Sequence, residues 1–403
     1  MTTNNPNTIT ITELRTVLTL GTVYGIRMLG LFMILPVFAL YAKQLPDYTP
    51  LKVGIAIGIY GLAQALLQIP LGLLSDRIGR KSVIIGGLVV YALGSIVAAN
   101  AATLYWIILG RAIQGSGAIA AVIMATVADL TRKEVRTQAM AIIGIGIGAA
   151  FILSMLLGPI LEHWIGVPGI FWLSCGLALC SIMAILLLVP TPRPLGLSID
   201  TTDSIGTQIN KVLFNSELLR ANFGIFTLQL LMTSLFLVVP LELNLFGIPS
   251  AHHWQVYIPV ILISVVGIVP LVIMERRGNS SIKGLVLLGI LVLLGAEVGL
   301  FVWGNDFVGF ISALLLYFIA FNLLEAVLPS LVTRIAPANA KGIAMGIFSS
   351  SQFLGAFCGG IFGGLAQQAL GLDGVFLLGA TVATLWLLVA VSMVDPSSGS
   401  TLS

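Results

Sequence analysis

Arg27, Arg111, Glu297 and Glu325 each interrupt a long apolar run that is otherwise almost free of charge. Placing a charge in hydrocarbon costs about 2.5–3.5 kcal/mol on insertion scales, so such residues mark a partner, a wet cavity or an ion path. Arg111 and Gln114 stand three residues apart and share one helix face. Gly115, Gly117 and Ala118 beside them allow a neighbouring helix to come close. A carboxylic acid such as Glu325 has the chemistry of a proton carrier, because a buried carboxyl can be neutral when dry and ionised when its site floods. Two blander readings stay open: a fixed ion pair of Glu325 with Arg27 or Arg111, and an Arg111 that only binds helix-end carbonyls.

A second concentration of polar chemistry is GLLSDRIGRKS at 72–82, where Asp76, Arg77, Arg80 and Lys81 crowd between two apolar segments. The pattern predicts a short loop at a membrane face. Asp76 is placed to cap a helix N-terminus, where unpaired amides and the dipole favour a carboxylate; the basic residues by themselves would only enforce topology. Glu242 could line an outer vestibule, and His252 and His253, as loop residues, could sense external pH; the plainer reading of all three is of passive, solvated residues near segment ends. Cys175, Cys180 and Cys358 show neither CxxC nor Cys/His spacing, so no metal site or disulfide framework is expected. With no nucleophile elbow or phosphate loop either, no catalytic residue and no cofactor are expected, and the chain does not read as an enzyme.

The elements that must position these residues follow from composition. Hydrophobic residues make up 58% and charged residues 9% of the chain, and the mean hydropathy is +1.08, against roughly a quarter charged in soluble domains. This is the composition of an integral membrane protein. A span needs roughly 20 apolar residues, and apolar segments run at about 17–44, 51–75, 82–99, 103–128, 137–162 and 168–190, then 219–246, 253–275, 284–303, 307–333, 342–370 and 374–394. The expectation is an all-α membrane protein of twelve transmembrane helices: an N-terminal half at 1–190, a cytoplasmic linker at 191–218 rich in Pro, Asp, Thr and Ser, and a C-terminal half at 219–403 with a short tail. The polar first dozen residues lack a basic start and do not read as a cleavable signal.

Orientation follows from Lys and Arg, which are retained on the cytoplasmic side of short loops. Placing the N-terminus inside puts 15 of the 19 basic residues on that side, leaves Lys43 and Lys52 outside, and makes both termini cytoplasmic. The net charge of +3 is thus a topology signal and not one of nucleic-acid binding.

The halves also repeat. GLLSDRIGRKS at 72–82 aligns with LVIMERRGNSS at 271–281, pairing Asp76 with Glu275 and Gly79 with Gly278, while Asn279 and Ser280 replace Arg80 and Lys81. RTQAMAIIG at 136–144 aligns with KGIAMGIFS at 341–349. Parallel repeats of this kind let one half rock against the other around a midplane site. Gly355, Gly359 and Gly363, beside Ala356, Gly360 and Gly364, form rails at four-residue spacing, and Gly54 and Gly58 repeat that spacing.

Asp76, Arg77, Gly79, Arg80 and Lys81 at their spacing, RMLGLFMILPVF (27–38), ILGRAIQGSGAIAA (108–121), FNLLEAVLPSL (321–331) and SSQFLG (350–355) together resemble the major facilitator superfamily of transporters across nearly the full length. The resemblance implies two pseudo-symmetric six-helix halves and a latch in which Arg80 or Arg77 pairs with Asp129 while the 72–82 loop docks near Lys341 and Gly342. It ties the Arg111–Gln114 motif to proton coupling, has the helix carrying Gly54 and Gly58 meet the railed helix of Gly355 to Gly364, places Arg27, Arg111 and Glu325 on cavity-lining helices, and puts Glu297 on a peripheral one, where it reads as structural. Gly158 and Pro159 resemble the bend of the family's antiporter motif, from which Ser154, Glu162 and His163 depart. The most similar members end in a small soluble domain; this chain ends at PSSGSTLS (396–403), so none is expected here. The implied activity is alternating-access export of a hydrophobic or amphipathic small molecule in exchange for protons, driven by the proton gradient, by a monomer in the inner membrane. A symporter or uniporter for a metabolite, or a non-transporting membrane sensor, are the rival readings.

Overall fold

The computed structural model describes residues 9–190, 210–276, 281–337 and 340–394. Most of the expected linker, at 191–209, and residues 277–280 of the weaker loop copy lie outside the described residues. Among those described there is helix and no strand, as expected where no water is available to satisfy backbone amides and carbonyls.

Local chemistry sets the breaks between helices. Helix α1 (Ile11–Phe32) starts in a capping box, with Thr10 Oγ1 accepting from the Glu13 amide and Glu13 Oε2 accepting from the Thr10 amide. It yields to α2 (Leu35–Ala42) where Pro36 removes an amide donor. Helix α3 (Pro50–Ile78) and α4 (Arg80–Ala99) are separated by Gly79 alone, at φ 96°, a left-handed dihedral that a side chain would strain. The expected loop is therefore one residue long, and its charges sit in helix ends. Gly79, and not Asp76, occupies the N-cap of α4.

The fourth crossing is α5 (Leu104–Ser116) followed by α6 (Ala120–Leu130). A 53-residue helical run, Arg136–Leu188, holds the fifth and sixth crossings; its dihedrals leave the helical region at Gly166 (φ 67°), dividing it into α7 (136–165) and α8 (167–188). Helical dihedrals continue through Gly158 and Pro159, and Gly158 lies against the Met33 carbonyl at the break between α1 and α2. Then come α9 (Ser216–Leu245), α10 (Trp254–Arg276), α11 (Ile282–Val302), α12 (Phe307–Ile335), α13 (Lys341–Leu370) and α14 (Leu372–Val391). Asn215, Ser281 and Asp306 cap α9, α11 and α12. Eleven helical spans are long and apolar enough to cross a membrane, and one of them is the divided run. The result is twelve crossings. Trp164, Leu187 and Leu388 stand exposed on helix surfaces, as residues that face lipid do.

Two compact units emerge: Met1–Asp47 with Leu62–Ile199, and Tyr48–Gly61 with Asp200–Ser403. In the second unit the two small-residue rails of α13 serve different partners. A Cβ built on Gly355 or Gly359 would lie 2.1 or 2.2 Å from the Phe226 or Leu230 carbonyl of α9. Gly360, one position round the helix, is 2.1 Å by the same measure from the Gly54 carbonyl of α3. Backbone therefore meets backbone on both sides, the close packing that small residues permit where no hydrophobic force draws helices together.

A Gly360→Leu protein should lose roughly 1–3 kcal/mol through overpacking at this seam. Gly346→Ala, on the same helix with nothing within 4 Å, should be neutral or slightly stabilising. Thermal unfolding in detergent checks the pair; equal midpoints for Gly360→Leu and the parent would contradict the contact.

Candidate functional site

The residues singled out by the sequence fall into three groups. The first lies in the N-terminal unit, around Arg80 at the start of α4. Its Nη1 is 2.7 Å from Asp76 Oδ1 and donates to Ser75 Oγ at 2.6 Å, while its Nε donates to Asp129 Oδ2 at 3.0 Å. One guanidinium thus ties the end of α3, the start of α4 and the end of α6 together, using the forked donor geometry that an ammonium lacks. Lys81 Nζ donates to the Leu186 and Val189 carbonyls at 3.2 and 3.0 Å, closing the C-terminus of α8. Arg77 is exposed, and so is Gly342 in the first turn of α13.

Close by in sequence, Arg132 donates its amide and Nε to Glu13 Oε1, both at 3.0 Å, and its Nη2 to Oε2 at 3.1 Å. The Glu13 carboxylate also accepts from Thr10, and it holds the Arg132 guanidinium above its usual range. Sequence reasoning missed this anchor of α1. Its one signal was the Thr-x-x-Glu spacing at 10–13, which announces a capping box but not a second partner 119 residues away.

The second group is buried inside the same unit. Arg111 Nη1 donates to Gln114 Oε1 at 3.1 Å, Gln114 Nε2 to Ser95 Oγ at 2.8 Å, and Ser95 Oγ to the Tyr91 carbonyl at 2.8 Å. Arg27 stands over the Tyr91 ring with its Cζ 5.8 Å from the centroid, a cation–π arrangement that strengthens on desolvation. Arg27 and Arg111 are each 1% exposed. Close approach of α4 and α5 makes this chain possible: a Cβ on Gly94 would lie 2.6 Å from the Gly110 carbonyl, and one on Gly117 2.2 Å from the Gly87 carbonyl.

The third group belongs to the C-terminal unit. Glu325 on α12 accepts from Gln229 Nε2 of α9 at 3.1 Å on one oxygen and from Gln352 Nε2 of α13 at 3.0 Å on the other. The carboxyl is half-buried and has a donor on each oxygen. Neither glutamine was legible as a site residue, since nothing along its own helix distinguishes it from the other amides there, such as Asn222 of α9 and Gln367 of α13. Glu297 is buried on α11 with its carboxyl against Gly379 of α14. Glu242, expected to be solvated, is buried near the end of α9. His253 departs from expectation too. It is fully buried, its Nε2 lies 3.0 Å from the Ile248 carbonyl, and its ring meets Tyr257 edge-on.

The family model of the Major Facilitator Superfamily matches residues 20–356. The chain belongs to that superfamily. Among relatives in this superfamily, the inner membrane transport protein YajR of Escherichia coli (strain K12) is 44% identical over 383 residues, covering 95% of this chain and 84% of that protein. The multidrug resistance protein MdtH of Aeromonas hydrophila is 26% identical over 378 residues, covering 92% and 93%. A bacterial homologue of the human lysosomal transporter Spinster, solved in an inward-facing and occupied conformation, superposes with a TM-score of 0.78 at 12% identity, over 95% of this chain and 97% of that one. Membership in the major facilitator superfamily makes the chain a membrane transporter and not an enzyme, with twelve helices in two halves.

If Arg80 and Asp129 act as a pair, Arg80→Ala and Asp129→Asn should each lower the thermal midpoint, and the double variant should lose less than their sum by about 0.5–1 kcal/mol, a value held down by partial exposure. Simple additivity would assign no energy to their hydrogen bond.

Proposed function

We propose that the protein is a proton-coupled secondary transporter of the inner membrane that exports a hydrophobic or amphipathic small molecule by alternating access. The observation that carries the reading is the Glu325 carboxyl, set within an apolar span and held by amides from two other helices. Neutral amides can serve a carboxyl in either protonation state, whereas a salt bridge would fix it as an anion. The buried Arg111–Gln114 motif supports coupling from the other unit. Likeness to an inner membrane transport protein supports the location, and the resistance protein supports export. The cluster around Arg80 serves as a gating element, and the bias of basic residues puts both termini in the cytoplasm.

Proteoliposomes with an imposed pH gradient test this, with ethidium and rhodamine as amphipathic probes. Dye-dependent proton release should occur in the parent and vanish in Glu325→Gln, with dye flux losing its pH dependence. Identical behaviour of Glu325→Gln and the parent would remove coupling from this residue. Dye and protons moving in the same direction would replace export with symport.

A further inference from the structure

The two amides that hold Glu325 come from different helices, and what they can do depends on one proton. An ionised carboxylate only accepts, so it takes Gln229 Nε2 on Oε2 and Gln352 Nε2 on Oε1 together. Once protonated, one oxygen becomes an O–H donor that needs an acceptor. One glutamine must then turn its amide to present its carbonyl oxygen, or withdraw. Among the described residues, no ionisable group on α12 or the helices packed against it joins this hydrogen-bonded set: not Glu217, Arg220 and Glu242 of α9, Tyr257 of α10, Lys283 and Glu297 of α11, Lys341 and Cys358 of α13, or Tyr317 and Arg334 of α12 itself. The protonation state of Glu325 therefore writes itself on the two glutamines.

Gln352 is where that change has consequences. The carbonyl of its neighbour Phe353 is 2.5 Å from where a Cβ on Gly61 of α3 would stand, and Phe357 and Gly360 continue the same seam against Gly58 and Gly54. On its other side α13 lies against α9 at Gly355 and Phe226, within a turn of both glutamines. The nearest atoms at both contacts are backbone, so a displacement at Gln352 passes to the seam with little room to be absorbed by rotamer changes. We infer that Gln352 and Gln229 are positioning residues through which the proton on Glu325 sets how α13 packs against the N-terminal part of α3. This rests on the proposed function only in that Glu325 takes up and releases a proton, whether or not that proton is exchanged for substrate.

The chain contains its own reporter. Cys358 lies half-buried on α13, beside Phe357 of the seam, and replacing Cys175 and Cys180 with Ser leaves it as the sole thiol. Its rate of modification by N-ethylmaleimide in reconstituted full-length protein is measured across the neutral pH range and divided by the rate in Glu325→Gln, which cancels the titration of the thiol itself. The ratio should step by about threefold or more as the carboxyl titrates and two packings exchange. Gln352→Leu should flatten the step, while Gln352→Asn, which keeps an amide on a shorter stem, should retain it with a displaced midpoint. A step in Gln352→Leu equal to that of the parent overturns the inference. So does a flat ratio in the parent, or an unmoved midpoint in Gln352→Asn should Gln352→Leu fail to fold. Dye-dependent proton release without a labelling step would sink this inference and leave the transport reading standing; a step without proton release would do the reverse.

Discussion

A polar group in hydrocarbon has no water to fall back on, and every feature of this protein answers to that constraint. The backbone meets it by being helical along most of every span, with short breaks at 33–34 and 117–119. Side chains meet it by reaching across helices: Arg80 to Asp129, Gln114 to Ser95, Gln229 and Gln352 to Glu325. These bonds are affordable only where backbones approach closely, which is why glycines gather beside them. Gly94 and Gly110 bring α4 to α5 at the Arg111–Gln114 motif, and Gly355 and Gly359 bring α13 to α9 beside the Glu325 clamp. Small residues and polar residues are thus two parts of one device.

The two units solve the same problem with different chemistry. In the N-terminal unit the buried polar side chains include two guanidiniums, one of them over the Tyr91 ring and the other leading into a chain of neutral hydrogen-bonding groups. A guanidinium stays charged at any physiological pH. In the C-terminal unit the Glu325 carboxyl sits between two neutral amides. The asymmetry of the acid-basic loop, degenerate in its second copy, is matched by an asymmetry of side-chain chemistry, guanidiniums in one unit and a carboxyl between amides in the other.

How far the sequence could be read depended on whether a residue's role was set by its neighbours along the chain or by those across helices. The charge cluster at 72–82 was visible because topology is written in local composition, yet its loop proved to be the single residue Gly79, since helix ends tolerate charges as well as loops do. His253 looked like a passive loop histidine from its position between spans; the turn at 250–252 folds it inward against Ile248 and Tyr257. The paired rails on α13 were legible as spacing. That one of them meets Gly54 and Gly58 of α3 followed from the family resemblance and is what the structure shows; that the other faces α9 was not legible, because four-residue periodicity names a face but not its occupant.

The sequence alone determined the class of molecule, the twelve crossings, the family, and which charges lie inside the membrane, because hydropathy and the spacing of charged residues are properties of local segments. Only the tertiary structure decided which partners those charges have. Arg80 finds Asp129 across 49 residues, Glu13 finds Arg132 across 119, and Gln229 meets Glu325 across 96. Such bonds are selected by helix packing, where a glutamine in an apolar helix carries no local sign of the carboxyl it will hold.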